Sequence, residues 1–284
     1  MSSKIYFSDK SDAKRVRFYA MQILSKSMHS VMPRTAQKYA KKLLMTPVRH
    51  NVKQTVPARF KSDVLASKLG PIHVISAGEG PVVLFTHGWS GSASQFYALM
   101  DHVVALGFKV VAFDHYAHGQ SGGDQANLPK FICALNAVLE MIAQPVKAII
   151  SHSMGGIAAL NSNWQIEQHI LIAPPFDFYT GFRDRILSIG IVESLFTDVL
   201  ASIENEHDMK FSDLLPEQQL INHSKITIIH DIEDKFARHD LAYEQAQQHA
   251  HIDIYSTQGL GHGRILNSQQ VWRHVGECLM SHMS

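Results

Sequence analysis

The sequence predicts an α/β fold built on a mostly parallel, doubly wound sheet, and three features predict it. Short apolar runs recur along most of the chain, most of the later ones are apolar throughout, and segments of helical periodicity separate them. Runs without polar alternation suit strands buried on both faces of a parallel sheet. The strand runs are Ile72 to Ser76, Val82 to Thr86, Lys109 to Asp114, Lys147 to Ser151, His169 to Ala173, Ile226 to His230 and His251 to Tyr255. Helical patterns lie at Ala93 to Leu106, Pro129 to Ala143, Met154 to Trp164, Asp240 to Ala250 and Ser268 to Met283. Such alternation places helices on both faces of one sheet.

Before the first of these runs the pattern is different. The chain has 284 residues with 26 Lys or Arg and 25 Asp or Glu, yet fourteen of the bases and only three of the acids fall between Met1 and Asp63. That segment carries a surplus of +11 and the remainder −10. Residues 1–59 therefore read as a basic arm and residues 60–284 as the domain proper. Within the arm, Val16, Tyr19, Ala20 and Leu24, then Ala36, Tyr39, Ala40, Leu43 and Leu44, recur at helical spacing. The expectation is two helices docking these positions on a body of opposite charge. Association of the arm with an anionic membrane surface is the second reading, and no nucleic-acid partner is expected.

A stretch from about 174 to 224 interrupts the alternation with helix-like pieces rich in Phe, Ile and Leu, and is expected to form a helical cap insertion. With 45% hydrophobic and 18% charged residues the chain can bury a large core. No apolar run approaches the roughly 20 residues of a membrane span, and the N-terminus lacks a leader-like apolar segment. A soluble, cytoplasmic protein is expected. Two cysteines, Cys133 and Cys278, do not make a disulfide framework or a thiolate metal site, and the 18 histidines show no metal-ligand spacing. Neither a metal nor another cofactor is expected.

In a sheet of this kind ligands bind at the carboxyl ends of the strands, so the residues just after each strand carry the functional information. Ser151-His-Ser153-Met-Gly-Gly156 takes a strand through a sharp turn directly into a helix, the setting of a nucleophile elbow at Ser153. The literal G-x-S-x-G match is elsewhere, at Gly119 to Gly123, where Ser121 is followed by a loop and no helix N-terminus; Ser153 is preferred on that context. His87-Gly-Trp-Ser-Gly-Ser92 follows an early strand, and the backbone N–H groups of Trp89 and Met154 together form an expected oxyanion hole. His87 itself reads as a turn-stabilising residue. Thr227 to Lys235 ends in three acids, of which Asp234, further along its loop than Asp231, is better placed to orient an imidazole. Gly259-Leu-Gly261-His262-Gly263 puts a histidine on a glycine-rich loop after the last strand.

These segments, HGWSGS at 87–92, FDHYAHGQSGG at 113–123, SHSMGG at 151–156, HDIEDK at 230–235 and GLGHGRIL at 259–266, resemble those of the α/β-hydrolase superfamily. The resemblance runs from about Ile72 to the C-terminal helix. The chain is further similar to a bacterial group of such hydrolases whose basic helical arm ends in a Thr-Pro turn, here Thr46-Pro47. It implies a serine hydrolase of carboxylesterase or lipase type, with nucleophile, acid and base in the chain order Ser153, Asp234, His262. Ser151 replaces the usual glycine, and His115-Tyr116-Ala117 replaces a Pro-Gly type turn. The expected activity is hydrolysis of a small to medium, partly apolar carboxylic ester through an acyl-serine. Trp89, Phe176, Phe178 and the apolar stretch Ile186 to Leu200 are candidates for the acyl pocket, or equally for filling between cap and core. A thioesterase or acyltransferase uses the same residues, and a non-catalytic binding protein on this fold is the reading from another class.

Overall fold

The computed structural model describes residues 12–49 and 55–281. The start of the basic arm, its residues 50–54 and the last positions of the C-terminal helical pattern lie outside the described residues. Eight strands form one sheet: β1 (Lys61–Leu65), β2 (Ile72–Ala77), β3 (Val82–Thr86), β4 (Lys109–Phe113), β5 (Val146–His152), β6 (Gln168–Ile172), β7 (Ile226–Asp231) and β8 (Ile252–Thr257). Their order is β1-β2-β4-β3-β5-β6-β7-β8; β2 runs antiparallel to both its neighbours, and all pairs from β4 to β8 are parallel.

The helices are α1 (Asp12–Val31), α2 (Pro33–Met45), α3 (Tyr97–Ala105), α4 (Leu128–Ile142), α5 (Met154–Leu160), α6 (Phe178–Ser188), α7 (Glu193–His207), the single turn α8 (Pro216–Gln219), α9 (His239–Gln248), the single turn α10 (Gly261–Arg264) and α11 (Gln269–Met280). Successive residues of a strand point to opposite faces, and the central strands use this to feed two cores. Ile170 and Ile172 join Phe85, Phe96 and Met100 in one cluster with Val271 and Val275 of α11, while Leu171 between them joins Leu160, Ile228 and Ala242 in the other. The apolar runs have no polar alternation because both sides are covered.

One strand was not foreseen. β1 is exposed along most of its length and carries Lys61 and Asp63. Charges of this kind protect a sheet edge from pairing with another chain, and they also remove the apolar pattern by which a strand is recognised. Its pairing to β2 is supported by Ser62 Oγ, 2.9 Å from His73 Nε2, whose Nδ1 lies 2.9 Å from Asp114 Oδ2 beyond β4.

Contacts divide the chain into two units. One contains the sheet and comprises Met45–Phe178 with the chain from Met209 on; the other groups α1 and α2, up to Leu44, with Tyr179–Asp208. In the second unit α1 packs on α7. His29 Nε2 meets Asp198 Oδ2 at 2.7 Å, Gln37 Nε2 donates to Asp198 O at 2.7 Å, Lys41 pairs with Glu206, and Ser25 Oγ donates to Gly190 O at 3.0 Å. Gly190 has φ +95, and a Cβ there would sit 2.5 Å from Phe18 O, so only glycine admits this approach. Of the two expected faces, that of α2 buries Ala36 and Ala40, whereas the large apolar side chains expected to dock from α1 stay exposed. Val16, Tyr19, Leu24, Tyr39 and Leu43 are exposed, whereas Ala36, Ala40 and Ser25 are buried.

Three buried imidazoles give the sheet unit an acid limit. Burial pushes His118, His152 and His169 down to about 3, and neither ring nitrogen of His169 has a hydrogen-bond partner among the described residues. Below about pH 6.5 an unfolded chain takes up protons that the fold refuses, so stability falls as pH drops toward 3. Each of the three should cost about 2 kcal/mol between pH 7 and pH 5. Urea midpoints at the two pH values measure this, and His169→Leu should reduce the difference by about 2 kcal/mol; equal midpoints would show that these rings protonate within the fold.

Candidate active site

The elbow is a strained point of the sheet unit. Between β5 and α5 the backbone of Ser153 adopts φ 52 and ψ −126, a conformation that L-residues rarely occupy, and its N–H donates to Ile172 O of β6 at 3.0 Å. Close neighbours must lack side chains. A Cβ on Gly155 would lie 2.6 Å from His87 O and 2.7 Å from Thr86 O, and one on Gly88 would lie 2.8 Å from Ser153 Cβ and 3.3 Å from its Oγ. The loop after β3 is thereby pressed against Ser153, with Trp89 next in sequence and Met154 as the first residue of α5. Ser151 is small enough for its place: its Oγ donates to Ile170 O at 3.4 Å, and a Cβ on Gly156 would meet that same oxygen at 3.3 Å.

The acid and the imidazole meet. His262 lies on α10, and its Nδ1 is 2.7 Å from Asp234 Oδ2. The other carboxylate oxygen, Oδ1, accepts the backbone N–H groups of Phe236 at 2.7 Å and Ala237 at 3.1 Å. Burial by itself raises a carboxyl, but the hydrogen bonds of His230 and His262 reverse this and hold Asp234 well below the usual carboxylate range. Asp231 has another task. It accepts Glu233 N on one oxygen and Thr257 Oγ1 and Leu260 N on the other, tying the loop that carries Asp234 to the loop that carries His262.

His262 reaches the elbow through the residue next to Ser153. His152 Nε2 donates to His262 O at 2.9 Å, and the two rings are 4.8 Å apart. No hydrogen bond joins Ser153 Oγ to His262 among the described residues. Catalytic hydrogen bonds often tighten only when substrate is bound.

Two positioning residues were missed in the sequence, His152 and His230, and Asp231, weighed there as the alternative acid, is a third. His230 Nε2 lies 3.3 Å from Asp234 Oδ2 and 3.3 Å from Ala237 O. Its spacing of four before Asp234 was visible, yet a histidine closing an apolar strand carries no distinguishing signal. A fourth, Arg49, has no sequence signal at all. Its guanidinium donates to the carbonyls of Ala117, Ser121 and Gly123, and Val48 N–H donates to Ser90 Oγ at 3.1 Å. Ser90 N–H in turn donates to His118 Nε2 at 3.0 Å. The chain just after α2 thus braces the loop that contains Trp89.

The other candidates are also accounted for. His87 Nε2 accepts the His115 N–H and its Nδ1 donates to Gly88 O, a turn-stabilising role. Trp89 is part-exposed, stacked 6.4 Å from Phe131 and edge-on to His118. Phe176 is buried in the cluster of Leu160, Leu171 and Leu220, which makes it core, and Phe178 opens α6. A cavity of about 450 Å³ lined by Asn136, Asn161, Trp164 and His223 sits at the far end of α5 from Ser153 and includes none of the candidate pocket residues.

A family model described as serine aminopeptidase, S33, matches residues 79–250, a span that contains Ser153 and Asp234. The chain belongs to this hydrolase family. Within it, 80 residues are 32% identical to a bifunctional esterase/perhydrolase of Acinetobacter calcoaceticus, covering 28% of this chain and 29% of that protein. A monoacylglycerol lipase of Mycolicibacterium smegmatis is 25% identical over 122 residues, covering 39% of this chain and 44% of the relative. The matches therefore span less than half of either curated relative. Among solved structures, an esterase from Pyrococcus furiosus is similar with a TM-score of 0.63 at 19% identity, covering 83% of this chain and 98% of that one, which supports the α/β-hydrolase fold. Among the described residues no helix is long and apolar enough to cross a membrane.

Ser121, the serine of the literal motif, has its hydroxyl engaged on the main chain. Its Oγ donates to Asp114 O at 2.6 Å and accepts the His73 N–H at 2.8 Å, and both partners are buried. Ser121→Ala should leave these groups unpaired and cost about 1–3 kcal/mol in unfolding free energy, while labelling by a fluorophosphonate continues; loss of labelling in a folded variant would place the nucleophile at Ser121.

Proposed function

We propose that the chain is a serine hydrolase that cleaves carboxylic esters through an acyl-Ser153 intermediate. The observation that carries this reading is the 2.7 Å pairing of His262 with the buried Asp234 beside a strained Ser153. With its Nδ1–H on Asp234, the ring keeps Nε2 as the basic nitrogen. In the reaction Ser153 Oγ adds to the ester carbonyl as His262 takes its proton, and the N–H groups of Trp89 and Met154 receive the charge that develops on the carbonyl oxygen. The same proton then goes to the departing alkoxide. Water repeats the sequence on the acyl-enzyme, with Asp234 stabilising the imidazolium each time.

The names of the relatives, an esterase/perhydrolase and a monoacylglycerol lipase, support an oxygen ester as substrate. Trp89 offers an apolar wall beside the elbow, and we assign Phe178 to the same acyl pocket. Both cysteines are free thiols, which supports a cytoplasmic site of action. A thioesterase or acyltransferase differs only in leaving group and acceptor, and a panel of matched esters and thioesters, with and without alcohol acceptors, distinguishes them.

Ser153→Ala should abolish both p-nitrophenyl butyrate turnover and fluorophosphonate labelling, with the fold retained by circular dichroism. Asp234→Asn should lower kcat by about 10⁴ with little change in KM, because the amide favours the wrong imidazole tautomer. Full labelling of the Ser153 variant, or a wild-type protein inert to every ester and thioester tested, would overturn the reading.

A further inference from the structure

We propose that the outward face of α1 seats the protein on an anionic bilayer surface. Successive residues of a helix turn by about 100°, so Ser25, which is buried against Gly190, defines an inner face shared by Phe18 and His29. The opposite face is apolar. Val16, Tyr19, Ile23, Leu24 and Val31 fall within an arc of about 140° centred away from Ser25, and all are more than half exposed, Ile23 at 67% and Val31 at 78%. Packing on α7 thus leaves uncovered the side chains that sequence periodicity suggested it would bury.

Charge selects the occupant. From residue 13 to residue 45 there is no acid and there are eight Lys or Arg. Arg15 and Lys26 fall along one edge of the stripe and Arg17 along the other, each exposed. An apolar face bordered by cations on long aliphatic stems matches the boundary between acyl chains and anionic headgroups, where the stem stays in the apolar layer and the charge reaches the phosphates. A second copy of this chain fits less well: apposing two such faces brings six like charges together. Tyr39 and Leu43 of α2 are exposed as well.

The experiment uses the full-length protein and vesicles of phosphatidylcholine alone or mixed equally with phosphatidylglycerol, read by co-sedimentation. Wild type should sediment with the mixed vesicles and be released as salt rises from 0.1 to 0.5 M. The pair Val16→Asp and Ile23→Asp should reduce binding more than tenfold. Replacing Arg15, Arg17 and Lys26 by Gln should weaken binding on the order of 10²-fold, at roughly fivefold per cation. All five positions are exposed, Val16 and Ile23 on the side away from Ser25 and the three cations on its flanks, so thermal midpoints and turnover of a soluble ester should stay at the wild-type level, which separates this test from the one for the active site. Wild type remaining in the supernatant with the mixed vesicles would overturn the proposal, as would full binding by the Asp pair. A concentration-dependent dimer that the Asp pair abolishes would assign the stripe to a second copy instead.

Discussion

The site depends on the backbone at Ser153. A residue at φ 52 and ψ −126 costs about 1–3 kcal/mol and survives only where its surroundings allow no alternative. Here the surroundings are two close approaches of main chain. α5 starts so near the end of β3 that Gly155 touches two carbonyl oxygens, and the following loop presses Gly88 on Ser153 itself. Remove either glycine and strand, loop and helix must separate, which dissolves the elbow and moves Trp89 and Met154 apart. The parallel pairing of β3 with β5 supplies the rigidity, since Thr86 and Ser151 are in register immediately before the two turns.

The carboxylate is the second constraint, and its chemistry follows from the number of donors around it. Asp234 has no exposed side-chain surface, so an isolated charge there would be neutralised by protonation. Two imidazoles share Oδ2 and two backbone N–H groups share Oδ1, enough to hold the ion in place of water. His230 therefore acts on His262 through a common oxygen. Its contact at 3.3 Å and that of His262 at 2.7 Å converge on the same oxygen, so the two rings fix the carboxylate together. Asp231 works on geometry instead, since the two loops it joins are the ones that must stay in step for Asp234 and His262 to meet.

Most of the sheet was legible because burial on both faces removes polar alternation, and the predicted runs lie within one to two residues of the observed strands from β2 to β8. β1 was illegible for the opposite reason: as an edge it carries charges, and its pairing is decided by β2. The strained elbow at Ser153 was legible through the strand-turn-helix context, whereas Ser121, in the literal motif, lies on a loop with its hydroxyl on two backbone groups around Asp114. Long-range braces left no trace. Nothing local distinguishes Arg49 from the other bases of the arm, and its role exists only because three carbonyls of the loop after β4 converge on one guanidinium.

The arm shows how periodicity and burial part company. Apolar residues at helical spacing report that a helix has an apolar face, and they do not say whether that face meets protein or something else. α1 has two faces with separate uses. The inner one docks through Ser25, whose hydroxyl accepts Val192 N–H as it donates to Gly190 O, and through His29 on Asp198 and Ser194. Those contacts are polar and directional, so they set register without consuming the large apolar side chains. A helix held this way can keep its hydrophobic surface outward only if the exposed residues are kept from self-association, and Arg15, Arg17 and Lys26 along their borders add like-charge repulsion. The segment leaving α2 then continues into Val48 and Arg49, which grip the loops around Trp89.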